Sequence, residues 1–176
     1  TGLTVDAIGN SAPQLALNLK AEDITINAGG LAYNPSWNRG ADAVFVRSSS
    51  TWDASNSLTI NGSKGGLTLG GLTMKGQNIT ISSAEELSMR LATVATAKNL
   101  TMSAKGGTDP SAAYGIGLFD STTLQADTIK LDGTGQGDAG VSLSGAGSKL
   151  DAVTRIDITA KDGKSQNDSY TASNNW

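Results

Sequence analysis

The chain has 176 residues, 16 acidic and 13 basic side chains, and neither histidine nor cysteine. That excludes Ser/His/Asp and Cys/His nucleophilic arrangements, the usual zinc sites and any disulfide framework. With 38% apolar but only 5% aromatic residues, 22 Gly and 3 Pro, the core has to be narrow and aliphatic and the backbone has to turn often.

The first element, Leu3-Thr4-Val5, is an apolar-polar-apolar triplet, the signature of a strand with one buried face. It returns as Ile24-Thr25-Ile26, Leu58-Thr59-Ile60, Ile79-Thr80-Ile81, Leu100-Thr101-Met102, Ile129-Lys130-Leu131 and Ile156-Asp157-Ile158. From residue 24 onward these starts are 34, 21, 21, 29 and 27 residues apart. A second triplet lies between them: Leu15-Ala16-Leu17, Val44-Phe45-Val46, Leu67-Thr68-Leu69, Leu87-Ser88-Met89, Ile116-Gly117-Leu118 and Val141-Ser142-Leu143. A third marker, an apolar residue, one spacer, then Ala or Gly, precedes each first triplet: Leu19/Ala21, Trp52/Ala54, Met74/Gly76, Ala95/Ala97, Leu124/Ala126 and Leu150/Ala152.

Three short strands per unit at this period predict an all-β chain forming a right-handed parallel β-helix, a solenoid with three strands per coil and about six coils. The expected interior is the column Ile24, Leu58, Ile79, Leu100, Ile129 and Ile156, and the expected outward column is Thr25, Thr59, Thr80, Thr101, Lys130 and Asp157. Residues 84–98 also admit a helix, with Leu87, Leu91 and Val94 at helical spacing, but they fall in register with the strand triplets. The whole of 1–176 is expected to be a single segment excised from a longer fibre, since no signal peptide or polar cap precedes Leu3. The repeat opens into insertions at 27–43 and 103–115, and a polar loop is expected at 161–176. No run approaches transmembrane length.

The chemistry favours binding over catalysis. Glu is confined to Glu22, Glu85 and Glu86, and most Asp stand at turns, where the side chain satisfies nearby backbone N–H groups. Asp151/Asp157 and Asp162/Asp168 are the carboxylate clusters closest to a glycosidase pair, and the turn reading is preferred for both, so no catalytic residue is assigned. Asp132 to Asp138 is a Gly-rich turn rather than a calcium loop, and no metal or cofactor is expected. Net charge −3 with scattered Lys and Arg argues against nucleic acid. The Thr column raises ice binding, but it is a single column interrupted by Lys130 and Asp157, so solvated strand faces are the better account. Sequons at Asn61, Asn78, Asn99 and Asn167 support glycosylation only weakly in so Thr- and Ser-rich a chain. If the units stack in register, Tyr33, Trp37, Arg39 and Asp42 of one insertion gather with Asp109 and Tyr114 of the other as a receptor-binding cluster. The alternative is that Tyr33 and Trp37 pack the insertion onto the wall.

The phrases Leu19 to Ile26, Met74 to Ile81 and Gly-Asp-Ala-Gly-Val-Ser-Leu-Ser-Gly at 137–145 resemble the shaft repeats of filamentous-haemagglutinin-like exoproteins. These are exported by two-partner secretion and include adhesins and the effectors of contact-dependent growth inhibition. The resemblance spans nearly the whole chain and implies a secreted or bacterial cell-surface segment, an outer-membrane transporter partner for export, and a protein or glycan receptor on host or neighbouring cells. A passive fibre shaft is the alternative, and a polysaccharide-binding or -degrading protein of tailspike or lyase type is the third.

Overall fold

A computed structural model describes residues 1–8, 17–29, 44–46, 49–106, 114–135 and 139–162. It contains β1 (Gly2–Ile8), β2 (Leu19–Gly29), β3 (Val44–Val46), β4 (Ser50–Lys64), β5 (Leu67–Gly70), β6 (Leu72–Lys75) and β7 (Asn78–Ser83). These are followed by β8 (Leu87–Arg90), β9 (Thr93–Lys105), β10 (Ile116–Phe119), β11 (Thr123–Gly135), β12 (Val141–Ser144) and β13 (Lys149–Asp162). Every pairing is parallel. One eight-stranded sheet runs β1-β2-β4-β6-β9-β11-β13, with β7 between β4 and β9, and a five-stranded sheet runs β12-β10-β8-β5-β3. The helical alternative for 84–98 is not taken up, because Leu87, Met89 and Val94 fill strand positions facing the core.

The triplets pair residue for residue. Ile24 lies beside Leu58, then Ile79, Leu100, Ile129 and Ile156, while their polar middles form the column Thr25, Thr59, Thr80, Thr101, Lys130 and Asp157. Alternation does this: in a strand successive side chains point to opposite faces, so an in-register ladder repeats one chemistry down each column. Ile24, Leu58, Ile79, Leu100 and Ile129 are all at 0–1% exposure. Burying each such aliphatic stabilises the fold by about 1.5–3 kcal/mol before the entropy of ordering it is subtracted.

The expected right-handed solenoid of three strands per coil and about six coils is corrected by this topology. The third marker and the first triplet do not form separate strands. They share one long strand in β2, β4, β9, β11 and β13, so there are two sheets where three were expected. Within the larger sheet the pairing closes a ring, from β4 to β6 to β9 to β7 and back to β4. The larger sheet and the second one bury their inner faces in a single apolar cluster, giving a closed parallel β body. The physical reason is the corner. The step of 5 or 6 positions from one marker to the next makes a bulge instead of a loop, with register shifts at Ala21/Asp23, Leu124/Ala126 and Ala126/Thr128. A bulge bends a strand without ending it. Only at Gly76-Gln77 does the strand break, into β6 and β7.

The bulge also moves one expected core position. Val94, rather than Ala95, pairs with Met74 and Leu124, and Val94 is fully buried. Trp52 is the largest fully buried side chain, and its indole Nε1 donates to the Leu17 carbonyl at 3.1 Å, so the one polar atom of the ring is satisfied. β2 runs to Gly29 and β9 to Lys105, so the first residues of both expected insertions extend strands, and β13 likewise takes in Lys161 and Asp162.

Coverage is uneven along the ladder. Leu100 is 1% exposed between β7 and β11, whereas Leu143 on the outermost strand of the smaller sheet is 45% exposed. Leu100→Ala is expected to cost about 2–5 kcal/mol, and Leu143→Ala well under half of that. Urea unfolding of the two variants measures the difference; equal losses would contradict the column description.

Candidate functional site

Of the six residues expected to gather at a receptor site, Tyr33, Trp37, Arg39, Asp42 and Asp109 lie outside the described residues. Tyr114 lies within them, immediately before β10. It stands on the outer face of the smaller sheet, where the outward column runs Thr68, Ser88, Gly117 and Ser142. Gly117 is what makes room for it. A Cβ there would fall 2.7 Å from Tyr114 Cε2 and closer still to the Phe119 ring.

The two rings meet edge to face, with centroids 5.2 Å apart and planes at 68°. That is a preferred aromatic geometry, contributing about 0.5–1.5 kcal/mol beyond area. Phe119 and Arg90 are register partners on β10 and β8, and the Arg90 guanidinium lies 5.2 Å from the Phe119 centroid. Arg90 Nη1 also donates to Asp120 Oδ2 at 3.3 Å, with both side chains more than half exposed. An ion pair this wet adds little stability but keeps the guanidinium oriented. Tyr114 is half-buried, and its phenol is pushed up to about 12. Burial is the main cause and the Glu86 carboxylate adds to it, while Ser88 and Arg90 pull the other way.

The turn beside this patch carries backbone strain. Leu91, Asp120 and Ser121 have φ of 50°, 46° and 59°, where the matching turn of the neighbouring strand uses Gly71 at 65°. The left-handed conformation costs a residue with a Cβ about 1–2 kcal/mol. Leu91 is moreover 64% exposed, so packing does not repay that cost. These strained backbone positions therefore lie next to an aromatic pair and an ion pair.

Tyr114, Phe119, Arg90, Asp120 and Leu91 can stack, donate hydrogen bonds and exchange charge, but the set holds no nucleophile with an adjacent base. The carboxylate clusters weighed for hydrolysis are tied up on their own strand: Lys149 Nζ holds Asp151 at 2.8 Å and Arg155 Nε holds Asp157 at 2.6 Å. Asp162 ends β13, and Asp168 and Asp138 lie outside the described residues. Among the described residues, no three His, Cys, Asp or Glu side chains come together to hold a metal. An open groove of about 390 Å³ lies elsewhere, along the bend of the larger sheet, lined by Asp53, Ser55, Lys75, Gln77, Lys98 and Asp127. Its mixed charges carry no matched chemistry, and the aromatic patch is the stronger candidate.

Phe119, Arg90, Asp120 and Leu91 were missed by the sequence reading. The available signal was Gly117, which fills the polar middle of a triplet with no side chain, together with Phe and Arg at the same offset after two successive triplets. Comparison with protein-family models, curated proteins and solved structures gives no match for this chain. No helix among the described residues is long and apolar enough to cross a membrane.

Two outcomes are expected. Absorbance titration near 295 nm should show a late-ionising tyrosine component, and Tyr114→Phe should remove it. Because the folded value is raised, the contribution of Tyr114 to stability is complete below about pH 10 and is lost as pH rises through about 12. Leu91→Gly should leave stability unchanged or raise it by up to about 1.5 kcal/mol, since relief of about 1–2 kcal/mol is offset by about 0.5–1 for glycine entropy. A loss above 1 kcal/mol in chemical denaturation would mean that the Leu91 side chain makes a stabilising contact.

Proposed function

We propose that this chain is a secreted or cell-surface binding segment of bacterial adhesin type, recognising a protein or glycan receptor on host or neighbouring cells, and that it is not an enzyme. The observation that carries the reading is the Tyr114–Phe119–Arg90–Asp120 patch, which is aromatic and ionic, partly exposed, and built over a glycine on an otherwise plain sheet face. Tyr, Phe and Arg are the side chains that anchor partners most efficiently, because rigid rings and an oriented guanidinium lose little entropy on contact.

A second observation supports it. The segments expected to bind leave from the same end of the larger sheet: Gly29 of β2 pairs with Lys64 of β4, Ser83 of β7 with Ala104 of β9, and Lys105 of β9 with Thr134 of β11. The described strands that precede the two expected insertions, β2 and β9, therefore end on one side, and Tyr114 is the first described residue after 107–113. The resemblance to two-partner-secretion exoproteins fits this reading and adds an outer-membrane transporter as export partner. The passive-shaft reading draws on the outward Thr columns, which present nothing that anchors a protein.

The test is saturable binding of the purified protein to epithelial and to enterobacterial cells, with Arg90→Ala/Tyr114→Ala and Tyr33→Ala/Trp37→Ala variants shown to be folded by circular dichroism. The parent is expected to bind one cell type, and the first variant to bind at least tenfold more weakly. Loss only in the second variant would move recognition to the insertion. No binding by the parent would leave the shaft as the description.

A further inference from the structure

The aromatic and ionic patch is small, and its size and charge narrow what can occupy it. Across β5, β8, β10 and β12 one outward column runs Gly70, Arg90, Phe119 and Ser144, and the next runs Thr68, Ser88, Gly117 and Ser142. Within these columns Arg90 and Phe119 are the long or bulky side chains, and Tyr114 joins them over Gly117. Leu91, 64% exposed, adds an apolar edge just past the end of β8. A specific protein interface buries about 800 Å² on each partner and involves about 20–30 residues a side. A cluster this compact, bordered by glycine, serine and threonine, matches something nearer the size of a single ring.

We infer, resting on the reading of this patch as the recognition surface, that its ligand is a neutral sugar, a pyranose that presents two adjacent hydroxyls to Arg90 and Asp120 and a C–H face to Phe119 and Leu91. Arg90 Nη1 and Asp120 Oδ2 stand 3.3 Å apart, a donor beside an acceptor, and both side chains are more than half exposed, so each keeps hydrogen-bonding capacity toward solvent. The two oxygens of a vicinal diol have a similar separation. One hydroxyl donates to the carboxylate while its neighbour accepts from the guanidinium, and both bonds are of the charge-assisted, stronger kind.

Both members of the pair are held ready. The Arg90 guanidinium lies 5.2 Å from the Phe119 ring centroid. The Asp120 N–H donates to the Ser144 carbonyl at 3.3 Å, and Gly145 leaves room for the carboxylate, since a Cβ there would fall 2.9 Å from Asp120 Oδ1. Groups already in place lose little freedom when a ligand arrives. The charge balance opposes an acidic sugar or a phosphate. Glu86 and Asp120 outnumber Arg90 here, and Asp120 already faces the guanidinium, so an anion meets net repulsion. The Tyr114 hydroxyl is engaged by Glu86 and Ser88, which fixes the ring that backs Phe119.

The experiment titrates methyl α-D-mannopyranoside, methyl β-D-galactopyranoside and methyl β-D-glucopyranoside into isotope-labelled protein and follows the backbone amide NMR signals, with N-acetylneuraminic acid and inorganic phosphate as charged probes. At least one neutral pyranoside is expected to shift the signals of Arg90, Phe119 and Asp120 saturably, and the charged probes are not. Asp120→Asn, which keeps the side-chain size and tolerates the left-handed backbone, and Arg90→Ala should each weaken binding by about tenfold or more. No shift at the patch with any of the three pyranosides, equal or tighter binding of a charged probe, or undiminished binding by both variants overturns the inference. Cell binding keeps the two readings apart. Binding to cells that survives mild periodate, which cleaves vicinal diols, but is lost after protease treatment means a protein receptor, so the sugar falls and recognition stands. Pyranoside shifts at the patch without binding to either cell type leave the sugar standing and overturn cell recognition.

Discussion

In-register parallel pairing is the constraint on which everything else here depends. Because side chains alternate strictly and neighbouring strands align residue for residue, a column has a single chemical identity from one end of the sheet to the other. Ile79 is inside because Leu58 and Leu100 are, and Thr80 is outside because Thr59 and Thr101 are. A slip of one residue in β7 would bury Thr80 and expose two isoleucines at once, so the register is set by about 1.5–3 kcal/mol per aliphatic, many times over. The hydrogen bonds add to the penalty for slipping, since Asn99 meets Asn78 and Ser82 meets Asn61 only in the native alignment.

That constraint explains why so much of the ladder was legible and why the rest was not. A triplet such as Leu100-Thr101-Met102 announces its own strand, its inward residues and its neighbours, because alternation and repetition are both visible in a string of letters. The corners are different. Whether the four residues between Met74 and Ile79, or between Leu124 and Ile129, make a turn or a bulge depends on backbone pairing with the adjacent strands, which no local pattern encodes. Taking those corners as turns divided each long strand into two and produced a three-strand coil where there is one bent strand. The misplacement of Ala95 for Val94 has the same origin, since a bulge shifts the count by one without changing the composition around it. At the candidate site only Tyr114 was legible. Its partners come from different repeat units, and alignment of Arg90 with Phe119 becomes visible only once the two second triplets are laid side by side.

The two outer faces illustrate what a repeating scaffold can carry. Where the outward residues are small and polar, as at Thr59, Thr80 and Thr101, the surface is regular and keeps its chemistry from strand to strand. Where one outward residue is deleted to glycine, as at Gly117, the regularity fails locally and rings from Tyr114 and Phe119 occupy the vacated space. The strained Leu91 and Asp120 lie beside that irregular place, while the matching turn of the neighbouring strand uses Gly71. Irregularity, strain, charge and aromatic surface coincide there. On a scaffold whose default is uniformity, such coincidence is the strongest local argument for selection on something other than folding.

Burial along the ladder connects stability to these faces. Each inward side chain is covered by the strands before and after it, so coverage is complete in the middle and falls at the outermost strands. Ile79 and Leu100 are at 1%, whereas Leu150, Ile156 and Ile158 are only partly buried and Leu143 is 45% exposed. A strand at the edge of a sheet opens first, because it loses only one interface when it detaches. The aromatic patch sits on β8 and β10, one strand in from β12, and the outward Thr column is centred on β4, β7 and β9, where coverage is greatest. Local opening at β12 and β13 therefore reaches the Asp120 turn, which bonds to Ser144 and Ala146 through its backbone, well before it reaches Thr80. The ionic edge of the patch is the part of either surface most closely coupled to fraying, and the Thr column is the part best insulated from it.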